Sequence, residues 1–91
     1  MILGTGTTTC GEVLQNIERI GSRAELIYLT WLQGYISGSN RVLATYSGNT
    51  ISFSPSADTL ISAYKNSCRQ DAFKTLEVVG QEIYVQLLKQ R

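Results

Sequence analysis

Hydrophobic residues along this chain recur every three or four positions in four separate segments, a spacing that predicts four α-helices. The first predicted helix begins at Thr9 and Glu12, which have the spacing of a capping box, and it ends at Gly21. Its apolar residues lie on one face: Val13, Leu14, Ile17 and Ile20. The pattern therefore predicts an amphipathic helix that packs by that face.

The second predicted helix is apolar around most of its circumference. A second capping-box pair, Ser22 and Glu25, precedes it, and it runs from about Arg23 to Gly38. At 100° per residue only a narrow arc is polar, and that arc consists of Thr30, Gln33 and Ser37. A helix that is apolar on nearly all sides is buried on nearly all sides. We therefore expect this helix at the centre of the domain or at an interface.

One face of the second helix combines two glycines with large apolar side chains. Glycine inside a helix costs about 1 kcal/mol relative to alanine, so two glycines on one face indicate a groove that another backbone approaches. Either a helix of the same chain packs there, or the face binds another protein. The residues predicted to bind protein lie on this face, beside it or after it: Ile27, Trp31, Gly34, Tyr35, Gly38, Asn40 and Tyr46.

Residues 39–55 are rich in serine, asparagine and glycine, which predicts one long irregular connection between helices 2 and 3. Residues 46–53 could form a short hairpin, because residues 47–49 (Ser-Gly-Asn) are typical of turns. Asn40 is alternatively a residue that ends helix 2. The connection is either a surface loop or a binding edge, since loops of this length are often functional.

The last third of the chain predicts two more helices. Pro55 indicates the start of the third, with Ser54 or Ser56 as its N-cap and an end near Cys68. Asp71 predicts the N-cap of the fourth. The apolar positions predicted to face inward on the fourth helix are Phe73, Leu76, Val79, Gly80, Ile83 and Leu87. We interpret residues 1–8 as a flexible lead and residues 9–91 as a single helical domain.

Composition narrows the function classes. The chain has 91 residues, 43% hydrophobic and 16% charged, and its net charge is +1, which suits one small folded domain. Its basic residues form no stripe, which argues against nucleic acid as a partner. No apolar run reaches the roughly 20 residues that span a bilayer, so we expect no membrane insertion. With no histidine and no marked pair of carboxylates, we expect neither a metal, nor a cofactor, nor an enzyme.

Two cysteines, Cys10 and Cys68, lie far apart in the sequence. They form either a disulfide or two free thiols, and we favour the disulfide, which would stabilise the fold by roughly 4 kcal/mol on the chain-entropy model. A disulfide indicates an oxidising compartment. Residues 1–10 lack the features of a signal peptide. They indicate either a cytosolic protein or, if the disulfide forms, a mature protein whose signal has been removed.

Three features together resemble a known family. They are the cysteine that opens helix 1, the block WLQGYISGSN (Trp31 to Asn40) and the element YKNSCR (Tyr64 to Arg69). They are similar to the HdeA-type family of small periplasmic proteins and to the related immunity proteins of type VI secretion, over about residues 9–90. The resemblance implies an all-α fold, a Cys10–Cys68 disulfide, export to the periplasm and no catalysis.

The resemblance also implies a function. Characterised members of that family are acid-stress chaperones, which are dimeric at neutral pH and bind clients in acid, whereas the immunity relatives bind a toxic effector enzyme. We therefore expect a non-enzymatic, protein-binding homodimer of the periplasm that acts in a stress response on unfolded clients. The alternative is an immunity protein or an accessory subunit that binds one partner of a secretion or conjugation system. The chain departs from the family at Asp71-Ala72, where members tend to carry Asn-Pro.

Overall fold

The computed structural model describes residues 4–48, 53 and 55–89, and in these ranges it contains four α-helices and no strand. The helices are α1 (Cys10–Ile20), α2 (Ser22–Ser47), α3 (Ala57–Gln70) and α4 (Leu76–Lys89), and a short 3₁₀ helix (Gly4–Thr7) precedes α1. A disulfide joins Cys10 at the start of α1 to Cys68 near the end of α3. The predicted all-α, four-helix fold with one disulfide is therefore confirmed.

The start of α1 agrees with the sequence, but the start of α2 does not. Glu12 N–H donates to Thr9 Oγ1 at 3.4 Å and Thr9 N–H donates to Glu12 Oε1 at 3.2 Å, so the first capping box is present. The second box, Ser22 with Glu25, was a wrong prediction. Gly21, with φ of 86°, is the N-cap of α2 and makes no side-chain cap. Because one glycine separates the two helices, Ser22 is already helical and lacks the extended geometry of an N-cap.

Helix α2 continues past Gly38 to Ser47 and ends at Gly48, whose φ of 73° is left-handed. The predictions that α2 ends at Gly38 and that the irregular connection begins at residue 39 were wrong. Interior glycine costs only about 1 kcal/mol, and Leu43 in the added turns packs against a buried cluster that includes Leu60 of α3 and Tyr84 of α4. Residues 49–52, which include much of the predicted hairpin, and the candidate cap Ser54 lie outside the described residues.

The connection between α3 and α4 is a turn rather than a helix start. Ser56 caps α3 as predicted, because its Oγ accepts the Thr59 N–H at 3.2 Å. Asp71 follows α3 and accepts the Phe73 N–H at 3.0 Å, so it is not the N-cap of α4, which begins at Leu76. Phe73, predicted to face inward, is 91% exposed because it lies in this turn, before the helix.

Helix α2 contributes to both buried clusters of the domain. The first surrounds the disulfide and includes Tyr28, Leu32 and Tyr64. The second lies further along α2 and consists of Leu29, Ile36, Leu60 and Tyr84, with partly buried neighbours. Burial is the largest cause that raises the pKa of the Tyr64 phenol, whose hydroxyl donates to the Glu25 carbonyl at 3.2 Å. One side of α2 is therefore buried in the core, as predicted for a central helix.

Candidate protein-binding site

The other side of α2 is open. A Cβ atom added to Gly34 or Gly38 would meet no described atom within 4 Å. The interpretation in which a helix of the same chain packs on these glycines is therefore wrong for the described residues. On the same side, Ile27 and Val42 are 54% and 56% exposed. We call the stripe formed by Ile27, Trp31, Gly34, Gly38 and Val42 the α2 face.

Helices α2 and α4 make a close contact at a different glycine, Gly80 of α4. A Cβ at Gly80 of α4 would lie 3.1 Å from Cδ1 of Tyr35, so the absence of a side chain at Gly80 lets the Tyr35 ring pack against α4. Tyr35 also stacks on Trp31, with ring centroids 5.5 Å apart and planes at 27°. Desolvation, followed by the nearby Glu77 charge, raises the pKa of Tyr35. Tyr35 therefore holds the Trp31 indole in place within the α2 face, and Trp31 is also partly buried against the cluster around the disulfide.

A shallow groove lies beside the α2 face, between α2 and α4. Its volume is about 550 Å³, its α2 side includes Gly34, Gly38 and Val42, and Tyr84 and Leu88 form its α4 side. No charged side chain lines it. An open, uncharged groove with glycine along one side admits a second backbone or an apolar side chain more readily than a small polar molecule.

Asn40, one of the predicted binding residues, does not join the α2 face. Two residues beyond Gly38, it lies about 200° further around the helix. Its side-chain amide donates to the Phe53 carbonyl at 3.0 Å, and its Oδ1 accepts the Tyr84 hydroxyl at 2.7 Å. The Phe53 ring meets the Tyr84 ring edge-on, at 5.5 Å. Asn40 therefore connects α2, α4 and the chain before α3.

The structure brings four of the predicted residues together on the α2 face, namely Ile27, Trp31, Gly34 and Gly38, with Tyr35 beside them. Tyr46, in the last turn of α2, is 86% exposed and lies one turn beyond Val42. Sequence reasoning missed Val42, because the helix was predicted to end at Gly38. The signal was present, since Val42 lies four residues after Gly38 and continues the helical spacing.

One polar cluster has the residue types of a serine nucleophile with a lysine base. Lys74 Nζ lies 3.1 Å from Ser67 Oγ and 2.8 Å from Glu82 Oε1. In this arrangement the lysine donates to both neighbours, and Ser67 Oγ itself donates to Glu82 Oε1 at 3.1 Å, so the serine proton points to the carboxylate and not to the lysine. The cluster connects α3 to α4. The described residues also contain no group of acids and cysteines that could hold a metal ion.

Comparison with known proteins identifies no relative: no family model matches the chain, and neither a curated protein nor a solved structure matches it significantly. The similarity to the HdeA-type family thus stays a prediction. Within the described residues, no helix has both the length and the apolar character to cross a membrane.

Proposed function

We propose that this chain is a non-enzymatic protein-binding protein and that the α2 face is its contact surface. The observation that supports this is the open pair Gly34 and Gly38 within an apolar stripe. From Ile27 to Val42 the stripe is about 22 Å long at 1.5 Å per residue. Ile27 and Val42 of this stripe are exposed, and Trp31 between them is partly buried against the first cluster. Exposed apolar surface on a small domain is typical of a site of interaction with another protein.

The form of binding that we propose is that of an acid-stress chaperone of the periplasm, in which a homodimer covers the α2 face at neutral pH. The disulfide supports an oxidising compartment. The chain has no histidine, so an acid trigger has to use carboxylates. Two ion pairs, Glu25 with Lys65 and Glu82 with Lys74, hold α3 and the turn after it against α2 and α4. We propose that these two pairs are the acid-sensitive contacts of the fold, and that loosening them exposes apolar surface to unfolded clients.

The alternative function is an immunity protein or an accessory subunit that binds one folded partner, and a specific observation favours it. Phe73 is 91% exposed, yet its turn is firmly held. Cys10 N–H donates to the Lys74 carbonyl at 2.7 Å, and Gly11 N–H donates to the Ala72 carbonyl at 2.9 Å. An aromatic side chain on a rigid turn is a pre-organised anchor, which suits a pocket on one partner better than many unfolded clients.

A client-protection assay tests the chaperone proposal. A globular enzyme that aggregates in acid is mixed with the oxidised protein, and light scattering follows aggregation. We expect the wild type to suppress scattering and Val42→Lys to lose this effect, because the lysine stays charged in acid and disrupts the apolar stripe. Gln33→Lys is the matched control, since Gln33 is exposed on another side of α2. Lack of protection by the wild type would contradict the chaperone form.

The same variants distinguish the alternative. If Val42→Lys and Gln33→Lys protect equally, the α2 face is not the client surface. If the wild type protects no client, the alternative predicts a tight complex with one folded protein encoded near this chain's gene. Trp31→Ala or Gly34→Leu should then abolish that complex. A complex that both variants leave intact, but that Phe73→Ala abolishes, would place the contact at the turn after α3 instead of the α2 face.

A further inference from the structure

The short 3₁₀ helix before α1 contacts α2 and α4, the same two helices that form the shallow groove. We call this helix and the residue after it, residues 4–8, the strap. We infer that the strap is a displaceable cover over one end of the groove, and that an extended peptide segment of a partner takes its place. The inference rests on the proposed function, because it adds a closed end to the groove beside the α2 face.

The path of α1 places the strap at the end of the groove. Helices α1 and α2 are joined by Gly21 alone, and Asn16 of α1 donates to the Tyr28 hydroxyl at 2.8 Å, which indicates that the two helices run antiparallel. Residues at equal distances before and after Gly21 then lie at about the same level, so Cys10 lies near Leu32, in the same buried cluster. The chain before Cys10 therefore continues in the direction of Gly34, at which the groove begins.

Main-chain hydrogen bonds hold the strap against α4. Leu76 N–H, at the start of α4, donates to the Thr8 carbonyl at 2.9 Å, and Thr8 N–H donates to the Thr5 carbonyl at 3.1 Å. Gly6 is buried. The strap consists of glycine and threonine only, and it contributes no side chain to either buried cluster. A segment that buries so little apolar surface opens locally at a low free energy.

The chain after the strap is held more firmly. Thr9 has extended geometry and forms the capping box of α1. Cys10 is fully buried and disulfide-bonded, and its N–H donates to the carbonyl of Lys74. Opening of the strap can therefore stop at Thr9, which leaves α1, the disulfide and the turn after α3 unchanged.

The contacts of the strap indicate what kind of segment replaces it. An incoming main-chain carbonyl can accept the Leu76 N–H in place of the Thr8 carbonyl, so that the exchange leaves no donor unpaired. Small residues fit best at the buried position of Gly6. Further along, the uncharged groove beside Val42 and Leu88 accepts an apolar side chain. The expected partner is thus an extended segment in which small residues adjoin an apolar one.

Native-state hydrogen exchange of the oxidised full-length protein at neutral pH tests whether the strap opens alone. The Leu76 amide bonds to the strap, the Cys10 amide bonds to the turn after α3, and the Val79 amide bonds to the Thr75 carbonyl at the start of α4. We expect the protection factor of Leu76 to be at least about tenfold below those of Cys10 and Val79. Equal protection of Leu76 and Cys10 overturns the inference, because the strap would then open only with the fold. Equally low protection of Leu76 and Val79 also overturns it, because α4 would then fray by itself.

A matched pair of lysine variants tests the cover directly. Gly6→Lys should displace the strap, because a charged side chain is costly to bury at this position. We expect a further loss of Leu76 protection of at least about tenfold, with Cys10 and Val79 unchanged. The fluorescence of an anilinonaphthalenesulfonate dye, which binds exposed apolar surface, should rise at least about twofold. Gln15→Lys adds the same charge at an exposed position of α1 and should change neither signal.

The outcomes separate this inference from the proposed function. If Gly6→Lys lowers the protection of all three amides together, residues 4–8 are an integral part of the fold and the inference is wrong. The inference is also wrong if the variant changes neither the Leu76 amide nor the dye. The client assay with Val42→Lys needs no opening of the strap. A protein that protects clients while its strap stays closed would therefore keep the proposed function and overturn this inference alone.

Discussion

Replacing Gly34 by alanine should stabilise the folded monomer, although Gly34 lies within the surface that we propose to be functional. A Cβ at this position has no described neighbour within 4 Å, so the substitution meets no steric cost. Alanine is about 1 kcal/mol more favourable than glycine in a helix interior. For a domain of this size, 1 kcal/mol corresponds to a rise in Tm of about 4–8 °C.

Gly80→Ala is the matched comparison, since it makes the same chemical change on a covered face. Its Cβ would lie 3.1–3.3 Å from three atoms of the Tyr35 ring. Overpacking of this kind costs about 1–3 kcal/mol, which cancels or exceeds the gain in helix propensity. We therefore expect the free energy of unfolding to rise in Gly34→Ala and to stay equal or fall in Gly80→Ala.

The assay is thermal and urea unfolding of the oxidised protein, followed by far-UV circular dichroism at low protein concentration, where dimerisation contributes little. At high concentration Gly34→Ala should lose part of its advantage, because the added methyl group separates the two backbones of the proposed dimer. A Gly34→Ala variant that is less stable than the wild type at low concentration would refute the reasoning, because it would mean that part of the same chain covers the α2 face.

Three further predictions concern the rest of the fold. Reducing the Cys10–Cys68 disulfide should lower the free energy of unfolding by about 2–5 kcal/mol in urea unfolding with and without reductant. Asn40→Ala should cost about 1–3 kcal/mol in the same assay, because it removes hydrogen bonds to α4 and to residue 53, whereas the exposed Ser37→Ala should have little effect. Burial raises the pKa of Tyr64 in the folded protein. The contribution of Tyr64 to the free energy of unfolding is therefore complete below the unfolded pKa near 10 and is lost as the pH rises further. Tyr64→Phe should reduce this alkaline loss of stability.

The sequence predicts the number of helices and the cap of α1, because those features depend on local spacing. Thr9 and Glu12 lie three positions apart, and this local spacing is enough to form their reciprocal hydrogen bonds. The end of α2 could not be predicted in this way. Gly38 is a strong local stop signal, but the turns after it are supported by Leu43, which packs with Leu60 and Tyr84 from distant parts of the chain. Tertiary packing therefore outweighed the local preference.

The sequence also could not predict which side of α2 faces the core. Two apolar faces lie almost opposite each other, one with Leu29, Leu32 and Ile36 and the other with Ile27 and Trp31. Both satisfy the helical period equally well, so periodicity cannot decide which one is covered. The remaining helices cover the first, since Leu29, Leu32 and Ile36 are buried, and they leave most of the second open.

Because the other helices leave the α2 face open, the cost of its two glycines is not explained by packing within the chain. Together Gly34 and Gly38 cost the helix about 2 kcal/mol relative to two alanines. On a covered face, closer packing within the molecule could compensate for this cost, as the contact between Gly80 and Tyr35 does. At Gly34 and Gly38 no described atom of another part of the chain lies within 4 Å of an added Cβ, so packing within the monomer does not offset the cost. A second molecule that approaches the bare backbone would recover the cost, and the line of uncharged residues on either side of the glycines is the surface on which it would lie.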